Sequence, residues 1–118
     1  MIVLKKIINS FKYASRGISY VYKTQRNFRI QLMMLILTTV VGLLLSISSI
    51  HWIMLFIISC LVLTLEIVNT AIEKIVDMIT DEYLESAEKA KDAAAGAVLI
   101  ASFFAVVIGS IIFLSYIF

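Results

Sequence analysis

The sequence predicts an all-α membrane protein in which an amphipathic N-terminal helix precedes three transmembrane helices. The 118 residues are 62% hydrophobic and include no proline. Their mean hydropathy is +1.04, an apolar excess beyond what a small soluble domain buries. Three apolar stretches are each long enough to cross a hydrocarbon layer about 30 Å thick. Most of the charged residues lie outside these stretches, as expected for a single membrane domain.

Basic and acidic residues occupy different parts of the chain. All eight acidic residues lie between Glu66 and Asp92. Seven of the ten basic residues precede residue 30, namely Lys5, Lys6, Lys12, Arg16, Lys23, Arg26 and Arg29. Because Lys and Arg accumulate on the cytoplasmic side of membrane proteins, we expect a cytoplasmic N-terminus. The first apolar run begins only near Ile30 and lacks a convincing cleavage site, so the basic arm is expected to be retained.

The predicted elements follow one another within a single domain, 1–118. Residues 1–28 mix apolar and basic residues as a helix lying on anionic headgroups does. Transmembrane helices are predicted over 30–48, 52–78 and 90–118, the second with a cytoplasmic extension, and 79–89 forms a polar cytoplasmic link. The connection between the first two transmembrane helices carries no Lys or Arg and is expected on the outer side of the membrane. There Trp52 is predicted to anchor the chain in the interface, and His51 to be a surface residue.

A polar face on the second transmembrane helix is the main functional signal. Glu66, Asn69, Glu73 and Asp77 fall within a helical arc of roughly 80°. Glu66 lies roughly 21 Å along the helix from Trp52, inside the hydrocarbon. A carboxylate at that depth should face protein or water, which indicates a functional site. The alternative is that these polar groups only hold neighbouring helices together.

The chemistry that fits this face is phosphoryl transfer. Carboxylates can hold Mg²⁺, a lysine can meet phosphate oxygens, and a further carboxylate can take the proton of an acceptor hydroxyl. Lys91 and Asp92, at the start of the third transmembrane helix, are expected at the same site. The small residues 93–97 that follow would let another helix approach closely. The four glycines form neither of the usual Gly-rich nucleotide loops, and one His and one Cys leave no paired metal ligands.

Two segments resemble the signature of the small bacterial diacylglycerol kinase and undecaprenol kinase family. They are E-I-V-N-T-A-I-E-K-I-V-D over 66–77 and A-K-D-A-A-A-G-A-V-L over 90–99. The likeness extends through Lys6, Tyr13, Gly17 and 26–29, and so covers nearly the whole chain. The resemblance implies a homotrimer with active sites shared between subunits. It also implies transfer of the γ-phosphate of ATP, with Mg²⁺, to a lipid hydroxyl at the surface of the bacterial plasma (inner) membrane.

The resemblance implies a role for each matching residue. Glu66 resembles the general base at the acceptor site, Asn69 supports it, and Glu73 resembles the ligand of Mg²⁺ and nucleotide. The remaining nucleotide-side positions are Lys6, Tyr13, Asp77, Glu82, Tyr83, Lys91 and Asp92. Gln25 departs from the pattern, because the family usually has glutamate there as a second metal ligand. An amide oxygen can coordinate Mg²⁺ but brings no charge, so weaker metal binding, a changed metal count or impaired activity is expected.

The expected function is therefore an ATP-dependent lipid kinase. The third-helix motif is more similar to that of the Gram-positive members, which favours undecaprenol as the acceptor, with diacylglycerol as the alternative. Two other classes are a cation or proton transporter with an acidic relay and a non-enzymatic membrane subunit. The polar residues stop near the inner leaflet, which counts against a relay. The expected partners are the membrane, ATP, the lipid alcohol and further copies of the chain, with no nucleic acid.

Overall fold

Four helices account for 91% of the chain in a computed structural model that describes residues 1–118, and there is no strand. They are α1 (Ile2–Thr24), α2 (Arg26–Leu45), α3 (Ser49–Ile79) and α4 (Glu85–Ile117). The helices α2, α3 and α4 are each long and apolar enough to cross a membrane. The predicted fold class, an N-terminal helix followed by three spanning helices, is confirmed.

The junction between α1 and α2 is a tight corner at Gln25. This residue has an extended backbone, with φ −111° and ψ 109°. Arg29 Nη1 donates to the main-chain oxygens of Tyr22, at 2.7 Å, and Lys23, at 3.2 Å, which satisfies carbonyls left free at the end of α1. The first helix thus ends at Thr24 and the second begins at Arg26, whereas the sequence predicted 28 and 30 for these bounds.

The turn between α2 and α3 is closed by Ser46, which adopts the left-handed conformation with φ 52° and ψ 51°. A Cβ atom at Gly42 would lie only 2.6 Å from Trp52 Cη2, so the glycine allows the indole to pack on α2. Trp52 is consequently half-buried. Its role in the structure is to lock the α2–α3 turn, in addition to any contact with the interface.

His51 is not the free surface residue that the sequence suggested. Its Nδ1 lies 2.7 Å from the hydroxyl of Tyr116 near the end of α4. The same hydroxyl accepts the main-chain N–H of Ser48 at 2.8 Å. These contacts tie the α2–α3 turn to the last turn of α4, and this end of the bundle is called the far end below. The opposite end, where α1 and residues 80–84 lie, is called the site end.

The interior of the bundle is small, and α3 pairs with α4 along most of its length. At the far end Ile47, Leu55 and Ile112 form a buried cluster. Large apolar side chains elsewhere point outward, for example Leu44 at 79% and Leu99 at 71% exposed. So much exposed apolar surface on three long helices requires a hydrocarbon solvent. The chain is a multi-pass membrane protein.

Candidate functional site

The buried polar residues of the chain lie together on one face of α3. Glu66 is 2% exposed, Asn69 8% and Thr70 2%, and all the other buried residues are apolar or glycine. They are buried because spacings of three and four residues repeat on the face that α3 turns toward the rest of the bundle. Thr70 donates its hydroxyl to the main-chain oxygen of Glu66 at 2.9 Å, so it is satisfied locally. The carboxylate and the amide are left for other partners.

Asn69 is hydrogen-bonded to the next acidic residue along the face. Its Nδ2 donates to Glu73 Oε1 at 3.3 Å. Its Oδ1 is buried and has no hydrogen-bond partner. A buried acceptor without a donor costs about 1–3 kcal/mol, so this atom points to a ligand that the polypeptide does not supply.

Gln31 on α2 also belongs to this site, and sequence reasoning missed it. Its side chain lies beside the Glu66 carboxylate, and its Oε1 is buried without a partner. In the sequence it was only an interruption in an apolar run. A neutral amide inside a spanning segment is itself a signal, because lone polar groups there need partners. Glu66 is thus approached from α2 by an amide whose oxygen is unpaired.

An ion pair joins α3 to α4 on the site-end side of this face. Lys91 Nζ lies 2.5 Å from Asp77 Oδ1, and the lysine charge also acts on Glu73. The lysine and aspartate side chains are 39% and 60% exposed, respectively. The pair therefore stands at the rim, where a phosphate could compete for the lysine.

Residues 80–84 and the start of α4 form a second group at the site end. A hydrogen bond to Glu88 raises the pKa of the Tyr83 hydroxyl above its ordinary value, and loss of hydration and the nearby Asp92 carboxylate act in the same direction. Tyr83 therefore stays a neutral donor at physiological pH. The main-chain N–H of Glu82 donates a hydrogen bond to Thr80 Oγ1 at 3.1 Å. The side chain of Glu82 is exposed.

The structure does not connect every predicted site residue to this face. Lys6 and Tyr13 are exposed on α1, and the only side chain recorded against the Tyr13 ring is Arg16, at 5.9 Å. Gln25 donates to Thr24 Oγ1 at 3.4 Å and has no bond to Glu73. The side-chain contact between α1 and α3 is instead Lys74 Nζ, 5.5 Å from the Tyr20 ring. Within one chain the assembled residues are Glu66, Asn69, Glu73, Asp77 and Lys91.

The oxygen donors on this face are of the kind that bind Mg²⁺. No group of three or more His, Cys, Asp or Glu residues could enclose a metal. Mg²⁺ does not need such a cage, because it keeps several waters and binds through one or two carboxylates and substrate phosphates. The Glu73 carboxylate and the unpartnered Oδ1 of Asn69 are hard oxygen donors of this kind.

Comparison with known proteins places this arrangement in a family. The family model described as prokaryotic diacylglycerol kinase, which represents the sequences of that family, matches residues 12–113. The chain belongs to the prokaryotic diacylglycerol kinase family. The resemblance seen in the sequence is confirmed, and so is the enzyme class that it implied, a lipid phosphotransferase.

Three relatives illustrate the range within the family. A diacylglycerol kinase of Synechocystis is 42% identical over 95% of this chain, but the match covers only 65% of that protein. An undecaprenol kinase of Bacillus subtilis is 40% identical over 94% of this chain and 90% of its own length. A diacylglycerol kinase of Escherichia coli is 33% identical over 94% of this chain and 91% of its own length. The relatives are named for different acceptor lipids at similar identity.

Proposed function

We propose that this protein is an ATP-dependent undecaprenol kinase of the bacterial plasma membrane. The observation that carries the proposal is the Glu66 carboxylate, which is 2% exposed and has the Gln31 amide beside it in place of a cation. A paired structural carboxylate would have Lys or Arg beside it. A buried carboxylate without a cation is suited to receive a proton from a bound alcohol.

The proposed reaction uses the residues of the buried face in order. The acceptor hydroxyl lies between Gln31 and Glu66, and Glu66 takes its proton as the oxygen attacks the γ-phosphorus of ATP. One P–O bond forms to the lipid while the bond to the leaving ADP oxygen breaks. Lys91, at the rim, attracts the phosphate oxygens and loses part of its contact with Asp77. Asn69 fixes the Glu73 carboxylate through the 3.3 Å hydrogen bond.

Glu73 and Asn69 would hold Mg²⁺ with the nucleotide phosphates. A bound Mg²⁺ neutralises the charge that develops on the transferred phosphoryl group. Gln25 would join the site only as a neutral ligand. Lys6, Tyr13, Glu82, Tyr83 and Asp92 are proposed to contact the nucleotide, with the N-terminus in the cytoplasm. Since several of these residues make no contact with the buried face within one chain, the proposal includes a homotrimer in which neighbouring copies complete each site.

Undecaprenol is favoured over diacylglycerol by the third-helix motif over 90–99, which resembles that of the Gram-positive members. Among the relatives matched over most of their own length, the undecaprenol kinase of B. subtilis is 40% identical and the diacylglycerol kinase of E. coli is 33% identical. The alternative acceptor remains diacylglycerol, because the E. coli relative also matches over most of its length. An ion relay is disfavoured, since the acidic residues stop at Glu66 and the far half of α3 has none.

The test is phosphate transfer from ATP in mixed micelles with Mg²⁺, undecaprenol and diacylglycerol being offered separately. We expect Glu66→Gln and Glu73→Gln to lower kcat by about 10²-fold or more. Glu85→Gln is the matched control, since it removes an exposed carboxylate outside the site and should leave kcat unchanged. Full activity of Glu66→Gln would refute the assigned base. Proton flux into liposomes without ATP, lost in Glu66→Gln, would support the transporter instead.

A further inference from the structure

A large cavity lies between α2, α3 and α4, on the far-end side of the site. Its volume is about 620 Å³, and eleven of its seventeen lining residues are hydrophobic. It is open at the side, as a cavity filled from the bilayer would be. An apolar space of this size within a bundle is suited to a hydrocarbon ligand.

One end of the cavity lies at Gln31, next to the proposed base. Gln31 is one of its lining residues, and the same side chain lies beside Glu66. The Oε1 atom of Gln31 is buried and unpaired. A lipid alcohol whose hydrocarbon chain occupied the cavity would place its hydroxyl between Gln31 and the Glu66 carboxylate, and its single proton would be donated to Glu66.

The other end of the cavity lies in the opposite half of the membrane. Half of the hydrocarbon thickness is about 15 Å, so the midplane falls roughly ten residues after Ile50, near Cys60. Leu55 lines the cavity beyond that level, and Leu63 lines it on the side of Glu66. Along α4 the lining continues from Ser102 to Leu114, roughly 18 Å. The cavity therefore crosses the midplane, whereas the acyl chains of a glycerolipid end near it.

The space is unobstructed at Gly109. This glycine lines the cavity, and a Cβ atom added there would meet nothing within 4 Å. The first atom of a side chain at 109 can therefore be added without a clash, and a larger side chain there would occupy part of the cavity.

We propose that this cavity binds the acceptor's hydrocarbon chain, and that it selects a single linear chain longer than one leaflet, which is the chemistry of a polyprenol. The proposal rests on the proposed function, since it assigns the tail of the lipid whose hydroxyl meets Glu66. One continuous channel accommodates one chain, and its length beyond the midplane is used only by a chain longer than an acyl group.

The kinetic test places a large side chain in the channel and compares alcohols of different hydrocarbon length. Gly109→Phe should lower kcat/KM for undecaprenol by about tenfold or more, because contacts of several methylenes are lost. It should change kcat/KM for farnesol, whose chain ends within one leaflet, by less than about twofold. Ile111→Phe is the control on the same helix, since Ile111 is 65% exposed on the outer surface. Equal loss for both alcohols, or none for undecaprenol, would overturn the proposal while leaving the kinase assignment intact.

A labelling test on the unaltered protein does not depend on the variant folding or on turnover. An undecaprenol analogue with a diazirine at the chain end should label Phe113, Leu114 and Leu55, which line the far part of the cavity. Labelling confined to outward side chains such as Leu99 would refute the channel. A disulfide between two copies of Gly109→Cys would also refute it, because another subunit would then occupy the space. Absence of phosphate transfer to every alcohol would refute the proposed function, and the label would still report the channel.

Discussion

Asp77 on α3 and Lys91 on α4 form an ion pair of 2.5 Å at the rim of the buried polar face. Both side chains are well exposed, so solvent screening leaves the pair with little effect on stability. In the proposed reaction the pair has a different use, which is to hold the Lys91 ammonium where phosphate oxygens arrive. The proposal makes Asp77 a positioning residue for the nucleotide contact.

Removing this ion pair should affect the nucleotide more than the fold. Asp77→Asn is expected to change the free energy of unfolding by less than about 1 kcal/mol. Lys91→Met should raise the KM for ATP by roughly tenfold, since a charge-assisted hydrogen bond is worth about 1.5–3 kcal/mol, and Asp77→Asn should raise it by less. Initial rates over a range of ATP concentrations, with thermal unfolding in detergent, measure the two effects.

A matched control is the other ion pair at the site end, Glu85 with Lys89 at 3.0 Å. Glu85→Gln breaks an equally simple pair outside the site and should leave the KM for ATP unchanged. The charge-reversed double variant, Asp77→Lys with Lys91→Asp, can rebuild the ion pair but not the phosphate contact. Recovery of the normal KM in that double variant would contradict the assigned role of Lys91.

Gly42 should tolerate no side chain while Trp52 keeps its place. A Cβ atom there would lie 2.6 Å from Trp52 Cη2 and 3.2 Å from Ile47 Cδ1. We expect Gly42→Ala to lower the free energy of unfolding by about 1–3 kcal/mol through overpacking. Denaturant unfolding followed by tryptophan fluorescence measures both the stability and the environment of the only indole.

The control for this substitution is Gly17→Ala, where a Cβ atom meets nothing within 4 Å. Alanine should be neutral or stabilising by roughly 0.5–1 kcal/mol in that helix interior. Adding Trp52→Phe should restore much of the stability of Gly42→Ala, because the smaller ring leaves room for the added Cβ atom. Unfolding of this double variant is followed by circular dichroism, since it contains no tryptophan. A Gly42→Ala protein as stable as the parent would show that the indole does not rest on α2.

The helices and the buried carboxylate could be predicted from the sequence because both follow from local rules. Three apolar stretches of sufficient length define the spans, and an acid within one of them must be sheltered. Helical periodicity then places Asn69 and Glu73 on the face of Glu66. The first helix boundary was missed because Gln25 carries no breaker signal. The α1–α2 corner depends on Arg29 reaching back to the carbonyls of Tyr22 and Lys23.

Contacts between helices could not be predicted in the same way. Gln31 meets Glu66 only after α2 packs on α3, and His51 meets Tyr116 across a separation of 65 residues. Likewise Trp52 suits a membrane interface on composition alone, while its packing depends on the missing side chain of Gly42. These pairings are set by the packing of whole helices, which periodicity does not specify.

The far end should matter for stability and not for phosphate transfer. The Tyr116 oxygen accepts the Ser48 N–H at 2.8 Å, which frees its O–H for His51 Nδ1 at 2.7 Å. Tyr116→Phe removes both bonds while keeping the ring, and should cost about 1 kcal/mol or slightly more. Unfolding and initial rates of the same preparation give the two values. A fall in kcat per folded molecule would contradict the separation of the two ends.

Gln25 offers a gain-of-function prediction, because it is neutral where the family usually has a carboxylate. Gln25→Glu adds a charged oxygen ligand at the α1–α2 corner, and charge strengthens Mg²⁺ binding. If Gln25 approaches the metal in the assembled enzyme, the Mg²⁺ concentration for half-maximal activity should fall several-fold. Titration of Mn²⁺ by electron paramagnetic resonance gives the affinity without turnover.

The control must separate a new ligand from a new charge. Asn27→Asp adds the same charge two residues further along, on the exposed surface of α2, and can attract cations only by a screened general field. Only Gln25→Glu should tighten Mn²⁺ binding, and Glu73→Gln should abolish that gain if the two residues share the ion. Equal tightening in Asn27→Asp would reduce the effect to general electrostatics. No tightening in either variant would place Gln25 outside the metal site.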